Sequence, residues 1–562
     1  MDMDMKPAAV DRRPTSAGRH LFLMLWLLLG VASAAPAVTT PPEPVRPEPG
    51  EAAGPAGTLL EPRLVGLLTL YTPREVERFY AERDWRPFWI DRDGPTAAAR
   101  SLLEAVRASG DEGLNPAEYH LPEIEPLLLA TPLNGADAAR LELLFSDAFL
   151  VLARHLAEGR RRPADVDPDW HIPVQAGNPG DLLRQVAAGR PVSGALDSQR
   201  PAHPGYRRLR EALVRYRALA DSGGWPELPA GEKLESGMRD ARVPILRHRL
   251  QITGDAPSRL PADPELFDGE LDAAVRAFQS RHGLEVDGVV GRRTRAALAA
   301  SARERVRQLV INLERWRWLP RDFGPRHIQV NVAAFELEYL ERDQPPLDMK
   351  VIIGRTYRST PAFTQRMTYL ELNPYWNVPK RIARLDLLPK LERDPEYFDR
   401  QGIRILSDWS ANAEVIPPAE MEWEPGSGRA FPYRLQQLPG PLNALGRIKF
   451  MLPNRFDIYL HDTPSRNLFQ RTVRTFSSGC IRLEKPIELA LRVLEGSSWN
   501  EASLLEAIDS GEHRIISLPR SIPVYLVYLT AWVDAAGVVN FRNDIYDRDR
   551  RMEQALFGYP RH

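Results

Sequence analysis

The amino-acid sequence predicts a multidomain α+β protein with a helical N-terminal scaffold domain, a small three-helix domain and a mainly-β C-terminal domain that carries an insertion. The chain has 562 residues, which is enough for several domains. Apolar residues at three- and four-residue steps over residues 63–240 indicate helices, whereas alternating apolar residues from residue 325 onward indicate strands. The alternation breaks over residues 376–435, which are Pro-rich and more helical in pattern.

The first 34 residues have the features of a secretory signal peptide. A basic stretch precedes an apolar run at residues 21–31, and small residues offer a cleavage site after Ala34. The run is short for a transmembrane helix, although an uncleaved anchor is an alternative. Residues 35–62 are rich in proline and poor in large apolar side chains, which indicates an exposed linker. We therefore expect an exported chain.

Composition narrows the classes of function. Lysine and arginine together number 74 and aspartate and glutamate 75, so no charge excess favours nucleic-acid binding. A single cysteine excludes an intramolecular disulfide and leaves a thiol that is either buried or used in chemistry. No His-Glu-x-x-His or Cys-x-x-Cys motif occurs, and we expect no metal and no cofactor.

The sequence of the helical N-terminal region suggests no catalytic residues. Its apolar stripes are typical of a helical core. An aromatic cluster formed by Tyr80, Trp85, Phe88 and Trp89 is compatible with a binding site, but an aromatic corner that holds helices together is the favoured interpretation.

The chemistry is concentrated in residues 459–483, which contain the only cysteine, Cys480. A thiol becomes a nucleophile near neutral pH when a base or a positive environment favours the thiolate, and His461 is the nearest candidate base. Gly479 permits a sharp turn, and the N–H groups of Gly479 and Cys480 are candidate oxyanion donors. The alternative is that Cys480 is simply a small buried apolar residue.

The pattern of this stretch resembles the signature of the L,D-transpeptidase (YkuD) family. It consists of His461, a spacer at residues 462–476, and then the run Ser477, Ser478, Gly479, Cys480, Ile481 and Arg482. Ser478 departs from the family pattern, because many members carry a second histidine there. The strings NPYWNVP at residues 373–379 and VIIGRTYRSTPAF at residues 351–363 resemble the long, YcbB-like branch of the family, in which a lid subdomain is inserted in the catalytic sheet.

A second resemblance concerns residues 241–302. The string FDGELDAAVRAFQSRHGLEVDG resembles the small three-helix peptidoglycan-binding domain, including its Asp-Gly turns. Together the resemblances imply a connecting helix at residues 303–324 and a catalytic domain at residues 325–550, with the lid at about residues 376–435. A plain helical spacer is the alternative for the three-helix unit.

The resemblance also implies roles for individual residues. Cys480 would be the nucleophile and His461 its base, with the N–H groups of Gly479 and Cys480 as oxyanion donors. Weaker candidates for substrate contacts are Tyr459, Ser477, Ser478, Arg482 and Trp376. For Arg482, fixing the turn is the alternative role.

The implied function is that of a periplasmic enzyme that forms 3→3 cross-links between peptidoglycan stem peptides through a cysteinyl thioester. Its expected partners are stem peptides and glycan strands, carbapenems as covalent inhibitors, and other wall-synthesis enzymes. A change of acceptor to water or to a protein lysine would give a carboxypeptidase or an anchoring enzyme, and a non-catalytic wall-binding scaffold is a further alternative. A penicillin-binding enzyme is disfavoured, because no lysine has a serine three residues before it.

Overall fold

The computed structural model describes residues 60–129, 133–259, 261–421 and 431–558. The predicted signal peptide, residues 1–34, lies outside them, and so does the predicted linker except for residues 60–62. Leu60 is only 3% exposed and packs in the core of the helical domain, and the first helix starts at Pro62. The helical domain therefore begins before residue 63. Within the described residues, no helix has the combination of length and apolar character needed to cross a membrane.

The N-terminal domain is helical, as predicted. Its helices are α1 (Pro62–Val65), α2 (Pro73–Ala81), α3 (Ala97–Ala108), α4 (Leu121–Leu129), α5 (Gly135–Glu158), α6 (Pro163–Val166), α7 (Pro179–Ala187), α8 (Val192–Asp197) and α9 (Pro204–Asp221), with a hairpin of β1 (Ile90–Asp91) and β2 (Gly94–Pro95). Helix α5 is the central element, because nearly every residue of its middle turns is buried. Its N-terminus is capped by Asn134, whose side chain accepts the N–H of Asp137.

The aromatic cluster is a structural corner. Trp89 and Tyr80 are fully buried, and the Trp89 indole N–H donates to Ser146 of α5. The carboxylate of Glu142, also on α5, accepts the backbone N–H groups of Trp89 and Ile90 and the hydroxyl of Tyr80. These hydrogen bonds satisfy an otherwise costly buried carboxylate, and they confirm the interpretation of this cluster as a core corner.

The three-helix unit consists of α10 (Val243–Ile252), α11 (Gly269–Arg281) and α12 (Arg292–Ala299). Leu234 lies before the predicted boundary at residue 241 but belongs to this core, where it bridges Val290 and packs with Leu246 and Phe278. The boundary differs from the prediction because an extended segment has no helical periodicity to mark it.

The predicted connecting helix, α13 (Ala302–Arg317), is a core element. A capping box between Ser301 and Glu304 fixes its start. Its apolar face contributes Leu309 and Trp316 to a core shared with Tyr206 of α9 and with the C-terminal domain. The helical domain and the C-terminal domain are therefore joined by continuous packing.

The C-terminal domain is mainly β, as predicted. Its strands are β3 (Arg326–Asn331), β4 (Glu336–Glu341), β5 (Leu347–Gly354), β6 (Phe363–Leu372), β7 (Trp376–Asn377), β8 (Ile403–Leu406), β9 (Val415–Ile416), β10 (Arg434–Gln437), β11 (Ile448–Met451), β12 (Leu460–His461), β13 (Thr475–Ser477), β14 (Ile481–Leu483), β15 (Arg514–Val527), β16 (Ala531–Val533) and β17 (Val539–Phe541). Its helices are α14 (Lys380–Ile382), α15 (Leu388–Arg393), α16 (Tyr397–Arg400), α17 (Pro486–Val493), α18 (Glu501–Asp509) and α19 (Arg548–Phe557).

The main sheet positions the site. Its described strands follow the order β13-β5-β14-β12-β11-β6-β15-β3-β4, and pairing of β4 with β5 closes the sheet on itself. Leucine, isoleucine and valine side chains fill the enclosed core, against which α17 and α18 pack through residues such as Leu489 and Leu504. Closure leaves β12 next to β14, so residues before and after the 462–476 spacer become neighbours.

The inserted lid differs from the prediction in its secondary structure. It contains α14, α15 and α16, but also a four-stranded sheet in the order β7-β10-β8-β9. The lid has its own core, which includes Leu388, Phe398 and Leu435. The strands were missed because they are two to four residues long, too short for alternation to be recognised in a Pro-rich segment.

The strands β16 and β17 form a small hairpin that is separate from the main sheet. It follows β15, which runs parallel to β3 until Val527. On this hairpin, the ring of Phe541 lies 5.7 Å from that of Tyr216 in α9, 5.6 Å from that of His282 in the three-helix unit, and 4.6 Å from the guanidinium of Arg305 in α13. Phe541 therefore joins three parts of the chain.

We expect Phe541→Ala to lower the free energy of unfolding by about 3–5 kcal/mol, because it leaves a cavity where three elements meet. Denaturant titration followed by tryptophan fluorescence measures the change. Val538→Ala is the matched control, since Val538 lies in the same hairpin but is 42% exposed, and its effect should stay below about 1 kcal/mol. Equal effects of the two variants would contradict this role of Phe541.

Candidate active site

The parallel pairing of β12 with β14 brings the two predicted catalytic residues to one place. Leu460 pairs with Ile481, and His461 pairs with Arg482. Cys480 immediately precedes β14, and both Cys480 and His461 line a cavity of about 910 Å³ between the main sheet and the lid. The structure thus places the predicted nucleophile and base at the floor of one cleft.

The thiol of Cys480 is half-buried and held by its neighbours. The sulfur lies 3.6 Å from the carbonyl oxygen of Asp457, to which it donates. Burial raises the pKa of the Cys480 thiol, whereas hydrogen bonds from the backbone and hydroxyl of Tyr459 and the charges of Lys449 and Arg482 act in the opposite direction. At neutral pH the sulfur is therefore protonated at rest.

The imidazole of His461 is neutral. It is 4% exposed, and burial, reinforced by the charge of Arg482, lowers its pKa to about 3, although the carbonyls of Asp462 and Leu445 favour the protonated form. The Nδ1 atom lies 2.6 Å from the carbonyl oxygen of Asp462. Since a carbonyl only accepts, the proton of the neutral ring is on Nδ1 and the basic atom is Nε2.

Within the described residues, no hydrogen bond joins His461 directly to Cys480. The ring of Tyr459 lies 5.7 Å from the His461 ring. Trp376, the first residue of the lid sheet, lines the same cavity as Tyr459, His461 and Cys480. Trp376 and Tyr459, both predicted as weaker site residues, therefore lie at the cleft that holds the thiol.

The loop before Cys480 is fixed by internal hydrogen bonds. Gly479 has a φ of +124°, which favours glycine, and its N–H donates to Ser477 Oγ at 3.1 Å. The Ser477 hydroxyl in turn donates to the carbonyl of Cys480, so Ser477 shapes the loop; it also lines the cavity, and its contact with a substrate stays a prediction. The Gly479 N–H is therefore engaged by Ser477 in the free protein, and its role as an oxyanion donor stays a prediction. The backbone N–H of Cys480 has no hydrogen-bond partner among the described backbone groups.

Ser478 occupies the position at which many family members have a histidine. Its Oγ accepts a hydrogen bond of 2.8 Å from Arg358, which also forms a two-point ion pair with Asp386 of the lid. Arg358 is buried and therefore ties the lid to the catalytic loop. Neither Arg358 nor Asp386 was predicted, because nothing in the sequence relates them to residue 478.

The helical N-terminal domain contributes one wall of the cavity through Asp169 and His171. Between them, Trp170 forms a β-bridge with Ala362 at the start of β6, and the backbone N–H of His171 donates to the Ala362 carbonyl at 2.7 Å. The His171 ring lies 4.7 Å from that of Phe456. No role of this domain at the site could be predicted from the sequence, because the contact is made by a short irregular segment without a motif.

The described residues contain no group of three or more histidine, cysteine, aspartate or glutamate side chains arranged to hold a metal ion. The chemistry that the arrangement supports is nucleophilic attack by a thiol, with a neutral imidazole available as acceptor of its proton.

Three parts of the chain match known protein families. Residues 325–500 match the L,D-transpeptidase catalytic domain (YkuD), residues 239–298 match the family described as "Putative peptidoglycan binding domain", and residues 74–213 match a family described as "Scaffold domain". The chain therefore contains a YkuD L,D-transpeptidase catalytic domain together with a peptidoglycan-binding domain. The resemblance predicted from the pattern at residues 459–483 is confirmed.

Individual relatives agree with these matches. A Haemophilus influenzae protein named "Putative L,D-transpeptidase" is 37% identical over 252 residues, which are 45% of this chain and 50% of that protein. The Mycobacterium tuberculosis protein N-acetylmuramoyl-L-alanine amidase CwlM is 41% identical over 80 residues, or 13% of this chain and 20% of that protein. The chain thus spans half or less of the length of these curated relatives.

One solved structure is that of an L,D-transpeptidase (residues 123–326) from Xylanimonas cellulosilytica. It aligns with 18% sequence identity and a TM-score of 0.16, covering 53% of this chain and 99% of that chain. The assignment of the catalytic domain rests on the family match and on the geometry around Cys480.

Proposed function

We propose that this protein is a periplasmic peptidoglycan L,D-transpeptidase that forms 3→3 cross-links between stem peptides through a thioester on Cys480. The observation that carries the proposal is the pairing of β12 with β14, which brings a neutral imidazole and the only thiol of the chain into one cleft of a YkuD domain. The periplasmic location is proposed from the signal peptide expected at residues 1–34.

In the first step, the sulfur of Cys480 attacks the carbonyl carbon of the third residue of a donor tetrapeptide. The carbon–sulfur bond forms, the bond to the terminal D-alanine breaks, and the thiol proton passes through His461 Nε2 to the departing amine. The Cys480 N–H is the donor best available for the oxyanion, since Gly479 N–H is engaged by Ser477.

In the second step, a side-chain amine of an acceptor stem attacks the thioester carbon. Its proton moves to His461, the carbon–sulfur bond breaks, and Cys480 is released as a thiol. The energy of the first peptide bond is retained in the thioester, so no nucleotide is required. Water in place of the amine would give a carboxypeptidase, and a protein lysine would give an anchoring enzyme.

Incubation of the purified protein with disaccharide-tetrapeptides, followed by mass analysis of the products, tests the proposal. A cross-linked dimer with loss of one D-alanine is the expected product. Tripeptides alone would indicate hydrolysis, and unchanged substrate would favour a non-catalytic wall-binding scaffold.

Carbapenems should add covalently to Cys480, because their strained carbonyl imitates the scissile amide. We expect the intact-protein mass to rise by one carbapenem per chain, since the sequence contains a single cysteine. The adduct should be absent from a sample whose thiol was first blocked with iodoacetamide. A folded preparation that shows no mass increase would count against the thioester mechanism.

The peptidoglycan-binding domain should hold the enzyme on the wall, and its contacts determine how this is tested. Arg281 forms an ion pair with Asp255 and donates to the carbonyl of Val539 in β17, while Arg542 donates to the Arg281 carbonyl at 3.0 Å. The domain is therefore also packed against the catalytic domain. Its removal uncovers part of the β16–β17 hairpin as well as removing a wall contact.

We expect deletion of residues 234–300, which removes the whole core of the unit and keeps Ser301 as the cap of α13, to reduce retention on sacculi and to lower the melting temperature, while soluble tetrapeptides are still turned over by the folded fraction. Tethering raises the local concentration of an insoluble substrate but not of one that diffuses freely. Sacculus pull-down, a melting curve and the soluble assay on one variant separate the two roles. Equal retention with and without the domain would show that wall binding lies elsewhere.

A further inference from the structure

The cavity is lined by cationic side chains whose charge the protein does not balance. Within the described residues, five of them have no carboxylate within ion-pair distance: Arg355, Arg381, Lys390, Arg393 and Arg482. Arg355 bonds to the hydroxyl of Tyr357 and Lys390 to that of Tyr397, but neither contact neutralises a charge. Three of the five belong to the lid, on α14 and α15.

The carboxylates of the same cavity do not offset this excess. Asp386 is engaged by Arg358, and one oxygen of Asp169 accepts from Ser359 and lies 3.3 Å from Arg548. Among the lining residues that the structure describes, Asp457 is the one carboxylate without a cation in ion-pair distance. The cavity of the free protein is therefore positive.

Two of the cations flank the nucleophile: Arg482 lies two residues after Cys480, and the backbone N–H of Arg355 donates to the carbonyl of Ser477 at 3.0 Å. Burial lowers the pKa of Arg482; a charge on Cys480 opposes this shift, whereas the like charge of Arg355 adds to it, so the two guanidinium groups repel one another. The Nε of Arg482 is buried and has no hydrogen-bond partner. A bound anion would satisfy that donor and remove the repulsion between the two arginines.

A carboxylate fits this set of donors better than other groups of a peptide. Guanidinium groups bind carboxylates through two parallel hydrogen bonds. A carboxamide carries no charge, and it has an NH₂ group, itself a donor, in place of the second acceptor oxygen. A cavity with surplus cations therefore discriminates between acidic peptides and their amides.

We propose that Arg355 and Arg482, together with the lid cations Arg381, Lys390 and Arg393, form a carboxylate-binding subsite that selects stem peptides with free carboxylates over stems in which these are amidated. This inference rests on the proposed function and adds to it the chemical form of the stem. Arg381, Lys390 and Arg393 line the cavity from the lid, so the lid supplies three of the five cations of the subsite.

The test compares two tetrapeptide stems, one with free side-branch carboxylates and one with these amidated, on three proteins. They are the wild type, the triple variant Arg381→Gln, Lys390→Gln and Arg393→Gln, and the control Arg384→Gln. Arg384 lies on the same lid segment and is exposed, but does not line the cavity. All four arginine and lysine positions are exposed, so the variants should fold, as a melting curve will verify.

We expect the wild type and the control to prefer the free acid in kcat/KM by about fivefold for each cation–carboxylate contact in a solvated cleft. The triple variant should lose most of this preference by turning over the acid more slowly, with little change on the amide. Raising the salt to 0.5 M should reduce the wild-type preference as well, since screening shortens the range of exposed charges. An unchanged preference in the triple variant would overturn the subsite.

A binding measurement separates this inference from the proposed reaction. Calorimetry with the Cys480→Ala variant and a tripeptide, as free acid or as amide, reports charge selection without turnover. Tighter binding of the acid, lost when the three lid cations are replaced, supports the subsite even if no cross-linked product forms. Equal binding of acid and amide refutes it, whereas acid-selective binding with no turnover by the wild type would refute the transpeptidase proposal instead.

Discussion

Cys480→Ala is expected to abolish turnover, with a fall of at least about ten-thousand-fold in kcat, because the thiol is the atom to which the acyl group is transferred. No second cysteine exists in the 562 residues to replace it. The fold should persist, since the half-buried thiol has one hydrogen bond to Asp457 and contacts with Tyr459, whose loss leaves only a small void. Product analysis by mass and a melting curve measure both effects.

The variant Cys480→Ser is a second test of the thioester mechanism. The hydroxyl has nearly the size of the thiol and can keep the hydrogen bond to the Asp457 carbonyl, but it is a far poorer nucleophile opposite a base whose pKa is as low as that of His461. Both variants should therefore be inactive and should take up no carbapenem. Cross-linking by either variant at the wild-type rate would refute the thioester mechanism.

The parts of the site that could be predicted from sequence are those encoded by adjacent residues. Gly479 and Cys480 are adjacent residues of one loop. His461 lies a fixed spacer before them, and the pairing of β12 with β14 brings the two ends of that spacer together. The α+β division could also be predicted, because long amphipathic helices and buried strands each leave a periodicity in the chain.

The remaining part of the site depends on contacts between distant segments. Arg358 meets Asp386 and Ser478, and Asp169 of the helical domain reaches the same cavity. These residues have no periodicity or motif, and a charged side chain in a loop is usually solvated. The hydrogen bond from the Gly479 N–H to Ser477 could not be predicted for a related reason, since a sequence does not reveal how the Ser477 hydroxyl is oriented.

His461→Asn and His461→Ala should slow acylation by about 10²–10⁴-fold, because both remove the imidazole that the β12–β14 pairing places in the cleft with the thiol. Acylation is best followed with a carbapenem, since no acceptor amine takes part. His513→Asn is the matched control: His513 lies in the same domain, paired with Glu371 and outside the cavity, and its replacement should change the rate by less than about threefold. Normal acylation by either His461 variant would require a different base.

The pH dependence of acylation distinguishes this histidine from an ordinary one. An imidazole with a pKa near 6.5 would become protonated below that pH, and the rate would fall about tenfold per pH unit. Because burial lowers the pKa of His461 to about 3, its Nε2 remains available as a base at pH 5, and we expect no decline of the wild-type rate between pH 7 and pH 5. In the His461 variants the rate should instead rise with pH toward the elevated pKa of Cys480, where thiolate forms without a base. A wild-type rate that halves near pH 6.5 would contradict a buried, low-pKa base at His461.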